Sequence, residues 1–155
     1  MRAVVFINYS IAPFNAGHVG WGFETQPDYF CYGAKEAVGM QETALPGYAN
    51  GAFVAVGTEP EMLAAMKTGI HPGNGFIYNN YKYVEVASFN VAAASDLARQ
   101  CHNWGYTVVG NSCMDDVYRI IKAYANGDGN ILPRPLAHPR PVDFFAAIPS
   151  PVHHL

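Results

Sequence analysis

Three cysteines occur in this chain of 155 residues, and one of them sits where a helix should begin. Cys113 lies in Asn111-Ser112-Cys113-Met114-Asp115-Asp116-Val117, and Met114, Val117, Ile121 and Tyr124 continue at helical spacing behind it. Orphan N–H groups and the helix dipole favour negative charge at such a position, so a thiol there is drawn toward thiolate. His18 heads a Gly-spaced aromatic run, residues 17–24, that reads as a strand. A strand-borne imidazole is the natural base for that thiol, and the chemistry of the pair is nucleophilic attack on an acyl carbon. Asp115 and Asp116 lie in the same turn and oppose a thiolate, so activation falls to His18. The competing reading makes Cys113 a buried core residue at a helix start.

An imidazole base is normally held by a third group. Glu24 lies too far along the strand, about 20 Å from His18 at about 3.3 Å per residue. A hairpin closing through residues 25–28 brings Lys35 or Glu36 opposite His18, depending on register, and Glu36 is the carboxylate in range. The backbone N–H of Cys113 is a plausible oxyanion donor.

The other reactive residue types carry less. Cys31 lies between Phe30 and Tyr32, and Cys101 shares a helical face with Leu97 and Trp104, so both read as packing residues. No Cys-x-x-Cys occurs, and the cysteine spacing builds no disulfide framework. His71 precedes Pro72-Gly73 and reads as a loop residue, while His138, His153 and His154 lie in a Pro-rich tail without metal-site spacing. Residues 126–130 lack the spaced acids and closing Glu of a calcium loop. Ser10 and Ser88 have no nucleophile-elbow context. The run from Tyr78 to Tyr83 holds one Lys and reads as sheet packing, not base stacking. No metal or organic cofactor is implied.

The positioning elements follow from pattern. Residues 3–8, 18–24, 29–32 and 52–56 read as strands, and 18–32 as a hairpin. Thr58, Pro60 and Glu61 open a helix that Gly69 closes. Residues 76–89 read as one or two strands, 95–104 as a helix, 106–109 as an extended segment, and 113–124 as the last helix, capped by Ser112 with Asp115 in a short capping box. Residues 33–51 read as loop. The tail from residue 132 reads as extended and irregular, docked on the domain because Phe144, Phe145, Ile148 and Val152 need cover.

Half of the residues are hydrophobic and 14% are charged, which fits one folded domain over residues 1–155 and excludes disorder. The formal charge of −3 gives no footprint for nucleic acid. No segment reaches the ~20 apolar residues of a membrane span, and the N-terminal apolar run is too short for a secretory leader, so the expected location is cytoplasmic.

Residues 17–23 followed by Asp28-Tyr29-Phe30-Cys31-Tyr32-Gly33 resemble the His-bearing hairpin of the PPPDE isopeptidases. Asn111-Ser112-Cys113 leading into an apolar helix resembles the Asn-Cys helix start of that family. It also resembles the wider group of circularly permuted NlpC-like and lecithin:retinol acyltransferase-like proteins, in which His precedes Cys. The family usually has Asn directly before Cys, whereas Ser112 intervenes here. The resemblance implies an α+β fold of the permuted papain type, an antiparallel sheet with packed helices. It implies a cysteine peptidase or amidase acting on a peptide or isopeptide bond, with Cys113 as nucleophile and His18 as base. It adds Asn111 to Glu36 as an orienting or oxyanion candidate. A non-catalytic binding domain on the same fold and a thiol acyltransferase for lipid-like chains are the alternatives. The expected partner is a peptide or an acylated substrate.

Overall fold

The computed structural model describes residues 1–10, 16–35, 43–44, 52–69, 77–107 and 110–155. Its centre is β1 (Arg2–Asn8), whose side chains alternate between two apolar layers. Ala3, Val5 and Ile7 join one core, and Val4 and Phe6 join the other. β1 lies between β2 (His18–Gln26) and β6 (Asn80–Glu85), antiparallel to both. With β3 (Tyr29–Ala34), β5 (Phe53–Thr58) and β8 (His153–His154) they form a six-stranded sheet in the order β5-β3-β2-β1-β6-β8. A second sheet pairs β4 (Thr43–Ala44) with β7 (Tyr106–Thr107).

One face of the sheet packs against α1 (Glu59–Thr68) through Met62 and Met66. Gly20 and Gly22 allow that approach, since a Cβ on Gly20 would lie 2.8 Å from Met66 Cε and one on Gly22 2.9 Å from Met62 Sδ. The helix starts as the sequence indicates, with the Glu61 carboxylate accepting from the Thr58 N–H and hydroxyl, each at 2.8 Å. Gly69 ends it in the left-handed region at φ 67°.

The other face packs against α2 (Val91–Gln100), α3 (Cys113–Tyr124) and α4 (Pro141–Ala146). Val19, Trp21 and Phe23 of β2 meet Val117, Ile120, Ile121 and Tyr124 of α3 in that layer. The chain therefore has a mixed α+β fold with an antiparallel sheet and packed helices. No helix of the described residues is long and apolar enough to cross a membrane.

Three elements differ from the sequence expectation. α2 begins at Val91, not near residue 95, because Asn90 caps it by accepting from the Ala93 N–H at 3.0 Å. It tightens into a 3₁₀ turn at Cys101–Asn103. The tail is not uniformly extended: a 3₁₀ turn at Pro135–Ala137, α4 and β8 occur in it. Pro141 in the first turn of α4 supplies a preset φ and lacks only an N–H that would be orphaned there. Within residues 33–51, read as loop, β3 extends to Ala34 and Thr43–Ala44 pairs with β7, while residues 36–42 and 45–51 lie outside the described residues.

Candidate functional site

The first turn of α3 carries the thiol. Ser112 is its N-cap in extended conformation (φ −90°, ψ 179°), and the Asp115 carboxylate accepts from the Ser112 N–H and hydroxyl at 2.8 Å each. The Asp115 N–H donates back to Ser112 Oγ at 3.4 Å. Cys113 is thus the first helical residue, where the N–H has no intrahelical acceptor. The two acids of this turn do not act as free neighbours of the thiol: Asp115 is held by the cap, and Asp116 turns to Lys35.

His18 opens β2, paired across the ladder with Asn8. Gly17 before it takes φ 81°, and a Cβ there would lie 2.9 Å from both Asn8 O and Val142 Cγ1. The Val142 N–H donates to the Ala16 carbonyl at 3.1 Å, so the approach to His18 is pinned between β1 and the tail. The His18 ring centroid lies 6.0 Å from that of Tyr78.

The structure couples His18 to Cys113 electrostatically: the imidazole, the Val19 backbone and the Tyr106 side chain all favour the charged form of the thiol. Burial pushes the thiol up, but His18, then Val19 and Tyr106, bring it below the ordinary thiol value. Cys113 is 3% exposed and His18 6%. The other thiols behave differently: burial pushes Cys31 and Cys101 up to about 12 each, and the Cys101 thiol donates to the Ala98 carbonyl. Both lie in packed layers, as their spacing indicates.

The remaining sequence candidates fall elsewhere. Glu36 and His71 lie outside the described residues. Lys35 points to α3, with Nζ 2.8 Å from Asn111 Oδ1 and 3.4 Å from Asp116 Oδ1. Glu24 serves Arg2, accepting from its backbone N–H at 2.8 Å and from its guanidinium at 2.8 and 3.2 Å.

Asn111 holds the loop before the thiol. Its carbonyl oxygen accepts from Lys35 at 2.8 Å and from Arg119 at 3.3 Å, and two cations on one atom identify that atom as oxygen. Its amide donates to the Trp104 and Gly105 carbonyls at 2.7 and 3.2 Å. Both amide hydrogens are thus given to backbone carbonyls.

Two features were not read from the sequence. Tyr106, which the sequence marks only as part of an extended segment, is one of the groups that lower the Cys113 thiol. Lys35 and Asp116 form a buried pair, each side chain 0% exposed, joining β3's end to α3. Their long separation in sequence carried no signal for that pairing. Among the described residues no group of three His, Cys, Asp or Glu side chains is placed to hold a metal ion. Comparison of the chain with family models, with curated proteins and with solved structures returned no match.

Proposed function

We propose that this protein is a cysteine-dependent hydrolase of amide bonds, peptide or isopeptide, built on a permuted papain-like fold. The observation that carries the reading is a thiol at a helix start that burial pushes up but His18 brings below its ordinary value. The order of His before Cys and the likeness of both motif regions to PPPDE isopeptidases support it. In the reaction the Cys113 thiolate attacks the carbonyl carbon, a C–S bond forms, and the carbonyl electron pair moves to oxygen. The first N–H of α3 faces that oxygen as a donor. His18, now imidazolium, gives its proton to the leaving amine as the tetrahedral species collapses to a thioester. Water, deprotonated by His18, then hydrolyses the thioester and restores the thiol.

The low exposure of Cys113 and His18, 3% and 6%, favours a second reading, a binding domain in which the pair is not used. Alkylation separates the two. Iodoacetamide should modify Cys113 before Cys31 and Cys101, with a pH midpoint below the ~8.5 of a free thiol. His18→Ala should move that midpoint up, and Cys113→Ala should abolish cleavage of a fluorogenic peptide or isopeptide. Faster labelling at Cys101, or a midpoint indifferent to His18→Ala, would leave the binding reading in place.

A further inference from the structure

We propose that the cleft between residues 129–134 and residues 147–149 is a docking site for an acidic peptide segment. Arg134 and His138 receive an Asp or Glu carboxylate of that segment, and Leu136 receives the apolar side chain beside it. The inference stands apart from the Cys113–His18 reading and uses none of its residues. The cleft has a volume of about 400 Å3. Ligand pockets usually hold about 300–1,000 Å3.

Leu132, Pro133, Ala147 and Pro149 give the cleft apolar walls, and Arg134 and His138 carry its basic groups. Among the described residues no carboxylate lines it, and the Arg134 side chain has no ion pair or hydrogen bond. Two acids close in sequence are engaged elsewhere. Asp143, which feels the charge of His138, accepts from Arg140 Nε and Nη2 at 2.7 and 2.8 Å. Asp128 accepts from the Asn130 N–H at 2.9 Å. A guanidinium left without a partner above apolar walls suits a carboxylate, whose two oxygens match its fork. The His138 ring offers an N–H in either protonation state.

Leu136 decides the class of ligand. It stands between Arg134 and His138 in the 3₁₀ turn and is 84% exposed. A free anion would meet Arg134 and leave Leu136 in water. A chain that carries an acid next to an apolar side chain covers both. One unpaired guanidinium and a formal charge of −3 do not suit nucleic acid. The surface is also set in advance. The Ala137 and His138 N–H groups donate to the Arg134 and Pro135 carbonyls at 3.0 Å each, and the Tyr118 hydroxyl donates to the Gly129 carbonyl at 3.0 Å. Pro133, Pro135 and Pro139 fix φ along the segment, so little ordering opposes binding.

Selection of a random heptapeptide library on the full chain tests this. Enriched peptides should place Asp or Glu beside Leu, Ile, Val or Phe. One such peptide is then synthesised, together with an analogue whose carboxylate is replaced by the amide. Fluorescence anisotropy should show binding weakened by about 10- to 100-fold for the analogue and for Arg134→Gln, the scale of one charged hydrogen-bond partner. Leu136→Ser should weaken it by about tenfold. Both side chains are exposed, so both variants should melt at the wild-type temperature. A selection without acid-bearing binders, equal affinity for the amide analogue, or binding retained in Arg134→Gln would overturn the docking site. Displacement of the peptide by an equal concentration of acetate or inorganic phosphate would make the cleft a site for free anions and overturn the peptide assignment.

Discussion

Lys35 Nζ lies 3.4 Å from Asp116 Oδ1, and neither side chain has any exposed surface. The pair fastens the end of β3 to the helix that carries Cys113, while Lys35 also bonds to Asn111 on the loop before the thiol. It is a device of position, because desolvation consumes most of what the attraction supplies. Burial raises the Asp116 carboxyl to about 6 even with Lys35 and Arg119 pulling it down, and Oδ2 has no hydrogen bond among the described residues. Burial likewise lowers Lys35.

Lys35→Met should therefore cost about 3–5 kcal/mol at pH 7, because it strands a buried carboxylate. In the wild type the folded value of about 6 lies above the unfolded 3.8, so the native state binds the proton more tightly. The Asp116 contribution is favourable at low pH and declines as pH rises from about 4 to about 6. The loss in Lys35→Met should accordingly shrink between pH 7 and pH 5, as Asp116 takes up its proton. Urea unfolding at both pH values tests this, and equal losses would show that a different charge is at stake. The double variant Lys35→Met/Asp116→Leu should recover most of the stability.

Glu24 and Arg2 set the acid limb. Burial raises the Glu24 carboxyl, but the Arg2 guanidinium and backbone N–H more than offset this and hold it below the ordinary glutamate value. A folded value below the unfolded one gives stability that is present above about pH 4.5 and lost as pH falls through the folded value. Glu24→Gln should cost about 2 kcal/mol at pH 7, the scale of hydrogen bonds to a charged group. It should also reduce the loss of melting temperature between pH 5 and pH 3. A variant that melts at the wild-type temperature at pH 7, with an unchanged acid limb, would show that Arg2 is satisfied by Glu59 and Asp28 alone.

What the sequence made legible was local. Ser112 and Asp115 announced the start of α3, and Thr58 with Glu61 that of α1, because a cap is written within four residues. The alternation of β1 and β2 was equally direct. The start of α2 was missed because Asn90 precedes an Ala-rich stretch with no apolar stripe to mark a helix. α4 and β8 were missed because their support is tertiary: six helical residues among prolines are not stable alone, and here Lys82 holds their end. The same holds at the site. His18 and Cys113 were legible as residue types in informative settings, whereas the placement of Asn111 and Lys35 depends on contacts that spacing does not encode.

Ser112 links helix stability to thiol chemistry. Ser112→Ala removes the cap and should cost about 1 kcal/mol by chemical denaturation. Ser112→Asp keeps an acceptor for the Asp115 N–H but sets a carboxylate beside Asp115 and the thiol. The Cys113 labelling midpoint should rise in Ser112→Asp and change little in Ser112→Ala. An identical pH profile in all three proteins would place the thiol outside the field of that helix end.

Lys82 holds the tail against the sheet. Its buried ammonium donates to the carbonyls of Phe145 at 3.0 Å, Ala146 at 3.4 Å and Ile148 at 2.7 Å. They lie at and just past the end of α4, where the Ile148 and Ser150 N–H groups also donate to the Phe145 and Ile148 carbonyls, and the ammonium lies 5.0 Å from the Phe145 ring centre. Phe144, Phe145 and Ile148 fill the core on that side, and β8 adds the last residues to the edge of β6. Lys82→Met keeps the apolar stem but removes the charged donor these carbonyls share, so it should cost about 2–3 kcal/mol. The effect should reach the site, because Val142 of α4 bonds to Ala16 and abuts Gly17, directly before His18. Limited proteolysis of Lys82→Met should therefore cut first within residues 132–155, where the wild type resists. Alkylation of Cys113 at neutral pH should slow in step, as His18 loses its fixed approach. Cleavage of the tail with Cys113 labelling at the wild-type rate would mean that β1 alone positions His18, and that the tail stabilises the fold without shaping the site.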